Sequence, residues 1–160
     1  MSKINIEKLE STEVMTPFSF MFGGKASFSI VNMKSGTTYK YRVSCPKDSK
    51  DMFFVRVANK SDSYKYAGFI KFDETGHRFK YVKGNKGTLD RTDDPIKGII
   101  YAISKGNKPL PRPMIMVHHG KCACCGRSLD DAESVRRGFG PVCWDRLMRS
   151  KHQSLEASGY

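Results

Sequence analysis

No run in the 160-residue sequence approaches the roughly 18 consecutive apolar residues that a membrane span requires. Mean hydropathy is −0.50. The first ten residues, MSKINIEKLE, lack the apolar stretch of a secretory signal. A soluble cytoplasmic protein with no membrane partner is therefore expected. Signatures of catalysis are missing too. There is no phosphate loop, no Ser/His/Asp constellation and no carboxylate cluster suited to magnesium. His118-His119 invites comparison with ββα endonucleases, but in that motif the catalytic histidine follows the first Cys-x-x-Cys, and here the pair precedes it. The expectation is a protein that is not an enzyme.

Acidic residues are the next deficit. Against 28 Lys and Arg stand 16 Asp and Glu, for a net charge of +12. The excess is uneven: Lys25–Lys86 holds 14 basic and 5 acidic residues, a net of +9, whereas His118–Ser150 holds 6 and 4, a net of +2. A basic surface of this size favours polyanions, with nucleic acid, DNA or RNA, first and acidic protein partners second. Cysteine is scarce over the same basic stretch, where Cys45 stands alone before a proline. Four of the five cysteines fall between Cys122 and Cys143. In a reducing compartment that clustering points to metal rather than to disulfides.

The expected fold class is α+β: an antiparallel meander of about five strands with one packed helix, followed by a small treble-clef-like zinc lobe. Residues 1–24 carry mixed signals, with Pro17 and Gly23-Gly24 around an aromatic run. The basic β-rich domain spans 25–106. Ala26–Met33 and Thr37–Val43 form a hairpin about Lys34-Ser35-Gly36, and Met52–Ala58, Tyr64–Phe72 and His77–Lys83 supply three more strands. Asp93-Asp94-Pro95 opens a helix over 95–105, whose Ile96, Ile99, Ile100 and Ile103 recur at helical spacing. Residues 107–113 read as a proline-rich linker, 114–150 as the zinc lobe with Met114–Val117 a short strand leading in, and 151–160 as a frayed tail.

Within that lobe Cys122-x-x-Cys125-Gly126 has the form of a zinc knuckle, in which two thiolates grip one ion and the glycine permits the turn behind them. Pro141 suits the first position of a helix and places Cys143 in its first turn, where free N–H groups and the helix dipole favour thiolate. One structural zinc on Cys122, Cys125 and Cys143 follows. The fourth ligand is open: His118, four residues before Cys122, is the first choice, with His119 and Cys124 next and Asp145 or His152 behind. Four protein ligands leave no open position for catalytic water.

The pattern Cys122-x-x-Cys125-Gly126-Arg127-x-Leu129, then Ser134, then Gly138-Phe139-Gly140-Pro141-x-Cys143 resembles an uncharacterised zinc-binding domain family found mainly in bacteriophage and mobile-element proteins. Some of its members carry a histidine four residues ahead of the first cysteine, which matches His118. Weaker likeness reaches upstream to the Ser35–Tyr41 and Phe53–Val57 stretches. The resemblance implies a phage-type accessory protein with zinc, acting in the host cytoplasm, and supplies no activity.

Two readings of function result. In the first, nucleic acid binds a basic sheet face built from Lys40, Arg42, Arg56, Lys71, Arg78 and Lys80, with Phe54 and Phe69 the best candidates for outward aromatics. In the second, the protein binds a host protein machine, such as a defence nuclease or RNA polymerase, and inhibits or redirects it. Arg136-Arg137 and Trp144 are read as solvated charge and as packing within the zinc lobe.

Overall fold

Strict alternation along Tyr39, Tyr41 and Val43, repeated by Phe53, Val55 and Val57, gives each strand one apolar edge that must be buried together with its neighbours. The computed structural model describes residues 6–47, 49, 51–58, 63–76 and 78–157, with side chains for those between 9 and 149. Its strands are β1 (Lys25–Asn32), β2 (Thr38–Ser44), β3 (Met52–Ala58), β4 (Lys65–Phe72), β5 (Phe79–Val82) and β6 (Met114–His118). They form one antiparallel sheet in the order β5-β4-β3-β2-β1-β6. The α+β class and the antiparallel meander are as expected, with β6 as a sixth strand beside β1. His77 and most of the turn at 59–63 lie outside the described residues.

The helices are α1 (Ile6–Ser11), α2 (Pro17–Met21), α3 (Asp94–Ser104), α4 (Ala132–Arg137) and α5 (Pro141–Ala157). None is long and apolar enough to cross a membrane among the described residues. Pro17 and Pro95 occupy the first turns of α2 and α3, where a missing N–H costs nothing. The stripe of α3 is buried at Ile96, Ile99 and Ile103, and the Tyr41 hydroxyl donates to the carbonyl of Pro95 at 2.6 Å, tying α3 to the middle of the sheet. Helix α5 continues to Ala157, into the segment expected to fray, of which 158–160 lie outside the described residues. Before Gly159 that stretch holds no glycine or proline, and Lys151, Gln153, Leu155, Glu156 and Ala157 are strong helix formers.

One sheet face packs under α2 and α3. Phe28 stacks on Tyr41 at 5.3 Å, Phe20 meets Phe28 edge-on at 6.1 Å, and Phe20 also meets Phe139 at 5.9 Å. Cys122, Ala123 and Phe139 are buried in the same apolar cluster as Phe20, Phe28 and Tyr41. The segment read as a separate lobe after a linker thus contributes a strand to the sheet and three residues to its core. Each large apolar side chain so buried stabilises by about 1.5–3 kcal/mol.

Among the described residues the other sheet face is covered only at its β6 end. There Val31, Ile115 and Val117 pack with Leu9 of α1 and Met33. Residues 12–14 shield the outer edge of β6: the Val14 N–H donates to Met116 O, the His118 N–H donates to Thr12 O, and Arg112 grips Glu13 with two bonds at 2.8 and 3.0 Å. From β2 to β5 this face is open among the described residues.

Candidate metal centre and open sheet face

The knuckle closes through two backbone bonds, Cys122 N–H to Arg127 O at 2.8 Å and Gly126 N–H to Cys122 O at 2.9 Å. Gly126 adopts φ 77°, a left-handed conformation that a side chain resists. Between knuckle and final helix lies α4, a helix that the sequence patterns do not announce. Asp131 caps it by accepting from the Ser134 N–H at 3.0 Å, and Gly138 ends it at φ 79°. The Gly138 carbonyl accepts from Ala123 N–H at 3.1 Å. Phe139 then enters the core, and Pro141 starts α5 with Cys143 in its first turn. This return brings the sulfurs of Cys122, Cys125 and Cys143 within 4.8 Å of one another.

A methyl group on Gly138 would sit 2.8 Å from the Phe20 ring. Gly138→Ala therefore combines left-handed strain with a clash in a packed core, and about 2 kcal/mol or more of stability is expected to be lost. Denaturant titration with unchanged slope checks it.

Burial opposes ionisation of Cys122. Backbone N–H groups of Cys125, Gly140 and Cys124 aimed at its sulfur outweigh that opposition, and its pKa falls below the ordinary thiol value. Cys143 goes the other way: burial first, then hydrogen bonds with the Cys124 and Cys122 thiols and the charge on Cys122, push it up to about 12. Of these two thiols, Cys122 is thus the one that favours thiolate. Cys122, Cys125 and Cys143 would hold a bound cation as thiolates, so binding would be coupled to loss of thiol protons. Three sulfurs that one ion can bridge, on a tight turn and a helix start, form a donor set fitted to a soft metal.

His118 is not brought to this group. Its Nδ1 accepts from the Gly120 N–H at 3.0 Å, so Nε2 carries the proton and donates to Val135 O at 2.6 Å. Both ring nitrogens are engaged, and the buried ring stacks on Phe20 at 5.9 Å. The physical reason is register: β6 pairs His118 with Phe28 and so points it into the core as a clamp between knuckle and α4. His119 faces the opposite way, its nitrogens 2.8 Å from the hydroxyls of Ser27 and Ser29. Asp145 is paired with Arg149 at 2.9 Å. The side chain of His152 lies outside the described residues. Cys124 also lies outside the group of three sulfurs; its thiol is hydrogen-bonded to that of Cys143, and it lines a cavity of about 300 Å³ with Phe18, Phe22, Cys143 and Arg146.

His118→Ala is accordingly expected to keep the metal while costing about 2–4 kcal/mol, since it leaves two half-buried backbone groups, Gly120 N–H and Val135 O, without their partner and opens a cavity. Burial holds this imidazole below its usual value of 6.5. The unfolded chain therefore takes up a proton first, and His118's contribution, present above about 6.5, is lost as pH falls below it. That slope should vanish in the variant. Metal analysis and denaturation at several pH values read both effects.

The open sheet face has its own order. Cross-strand pairing sets one row as Lys25, Ser44, Phe54, Phe69, Val82 and the next as Ser27, Arg42, Arg56, Tyr66. Lys40 on β2 and the pair Lys71–Lys80 on β4 and β5 share this face. Arg78 stands just before β5, its N–H bonded to the Asp73 carboxylate. Arg42, Arg56, Lys71 and Lys80 are exposed, and no carboxylate pairs with them among the described residues. Arg42 lies 4.1 Å over the Tyr64 ring and Arg56 lies 6.0 Å from that of Tyr66.

Phe54 and Phe69 do face outward, and the structure adds Tyr66 to them. Simple alternation would turn Tyr66 inward with Gly68, but a bulge at Val55/Arg56 shifts the register and aligns Tyr66 with Arg56. The only sequence signal for it is Ala67-Gly68, small residues inside a strand. Lys25 and Lys121, which line this face near the knuckle, also escaped the sequence reading. Arg136 and Arg137 are paired with Glu133, and Trp144 packs on Phe139 at 5.9 Å under Arg137.

No curated protein and no solved structure matches the chain. Residues 117–148, which hold the knuckle, α4 and the start of α5, match the model of a family of unknown function, DUF6011.

Proposed function

We propose that this is a non-catalytic, zinc-containing accessory protein of phage type that binds nucleic acid through the open basic face of its sheet. The observation that carries the reading is the common facing of Lys40, Arg42, Arg56, Lys71 and Lys80, with no Asp or Glu at any strand position of that face from β2 to β5. A one-sign surface of this kind attracts phosphates and releases counterions when they bind. Arg78, tethered beside Asp73, contributes least in this reading.

Zinc is the ion in this proposal because three thiolates on a knuckle and a helix start suit it. Zinc here braces the turn that joins β6 to α5. The resemblance of the Cys-x-x-Cys-Gly-Arg-x-Leu pattern to phage proteins supports the phage-type assignment.

Labelled oligonucleotides titrated at several salt concentrations test the function. A linear fall of log affinity with log salt supports it. Absent or salt-independent binding overturns it and moves the protein to the host-protein reading.

A further inference from the structure

Two cavities lie side by side on the open face and share one wall. The larger, about 600 Å³, is lined by Phe54, Arg56, Tyr66, Phe69 and the turn Gly84-Asn85-Lys86. The smaller, about 380 Å³, is lined by Lys25, Arg42, Ser44, Arg56 and Lys121 with Gly126 of the knuckle. Arg56 belongs to both, and neither lining contains a carboxylate. The Phe54 and Tyr66 rings meet at 5.9 Å and 75°, making a corner with one ring face and one ring edge.

We infer that this face takes a single strand of nucleic acid, an unpaired base entering the Phe54–Tyr66–Phe69 cleft while its flanking phosphates lie in the Lys25–Arg42–Arg56–Lys121 groove beside the knuckle. The inference rests on the nucleic-acid reading above and narrows it. A duplex keeps its base faces inside the stack, so three half-buried aromatic rings on a basic surface have nothing to stack on there. An unpaired base offers a π-face to any of them. The volume of the cleft lies within the roughly 300–1,000 Å³ of small-ligand sites. The groove starts at β3 and reaches β1 two strand spacings away, roughly 10 Å, so a few nucleotides span both. Stacking and phosphate contact ignore the sugar, so DNA and RNA single strands are expected to bind alike.

The geometry also assigns the metal-bearing knuckle a position: Lys121 and Gly126 form the far wall of the phosphate groove. The knuckle thereby holds one end of the track in place without touching a base.

Fluorescence anisotropy decides, with labelled 15-mers of dT and rU, a 15-base-pair duplex, and polyglutamate as a baseless competitor. The single strands should bind at least about 10-fold more tightly than the duplex. Phe54→Leu/Tyr66→Leu, which keeps apolar bulk, should cost about 10-fold or more on single strands. It should leave the salt slope and the metal content unchanged. Tyr66→Phe keeps the ring and should bind as the parent does. If duplex and single strand bind equally, or the leucine variant binds like the parent while Arg42→Ala/Arg56→Ala weakens binding, the single-strand inference falls and the nucleic-acid reading survives. If polyglutamate competes as well as dT at equal charge, the face is a general site for acidic protein and both fall. A leucine variant with altered circular dichroism is replaced by Phe69→Leu alone, for which the same outcomes apply.

Discussion

Purified protein is expected to carry one metal ion per chain, and Cys122→Ser or Cys143→Ser should lose both that ion and the cooperative fold. Structural zinc binds zinc-finger peptides with about 10–16 kcal/mol. Whole domains are stable by about 5–15 kcal/mol. A loss of that size need not unfold everything if the metal-bearing segment stands apart. Here Cys122, Ala123 and Phe139 lie in one buried cluster with Phe20, Phe28 and Tyr41, and the Ala123 carbonyl accepts from the Lys25 N–H at 2.7 Å where β1 begins. Releasing the knuckle therefore opens the core beneath β1 and α2. On chelation, Trp144 fluorescence and the far-ultraviolet β-signal should fall together at one midpoint. Two separate transitions, with the sheet surviving, would instead show that 114–150 is an independent lobe behind its proline-rich linker. Less than a tenth of an equivalent of metal would remove the metal reading altogether.

What the sequence shows and what it hides divide along contact distance. The alternation of β2, the isoleucine stripe of α3 and the Cys-x-x-Cys-Gly knuckle are local patterns, and local patterns are legible without a partner strand. Spacing along the chain sets His118 beside the knuckle, while strand pairing with Phe28 turns it into the core and away from the three sulfurs. Only the register across β1 and β6 separates a ligand from a clamp. Tyr66 was hidden by the bulge, since a one-residue shift reverses which face a side chain takes. Helix α4 escaped because six residues are too few for a periodicity, although Asp131 and Gly138 mark its two ends. For His118 and Tyr66 the deciding interaction joins residues on different strands.

Charge on the sheet face should dominate affinity and its dependence on salt. Each phosphate contact to a single strand contributes about −0.7 to the slope of log affinity against log salt. Arg42 and Arg56 face each other across β2 and β3, are exposed, and line the same groove. Arg42→Ala/Arg56→Ala should therefore flatten the slope by about 1.4 and weaken binding by about 25-fold at 0.1 M salt. The loss should be similar for every oligonucleotide sequence, because phosphate contacts carry no base information. Arg136→Ala/Arg137→Ala should change little, as both side chains are already paired with Glu133 at the far end of α4. Lys40→Ala/Arg42→Ala provides a second pair, overlapping the first at Arg42, with a slope change of up to two contacts. The two basic patches are compared in one anisotropy series over salt. Dominance of the Arg136–Arg137 pair would place the reader on the cysteine-bearing segment instead of the sheet. Indifference to all three variants would mean that the basic face is not where nucleic acid binds.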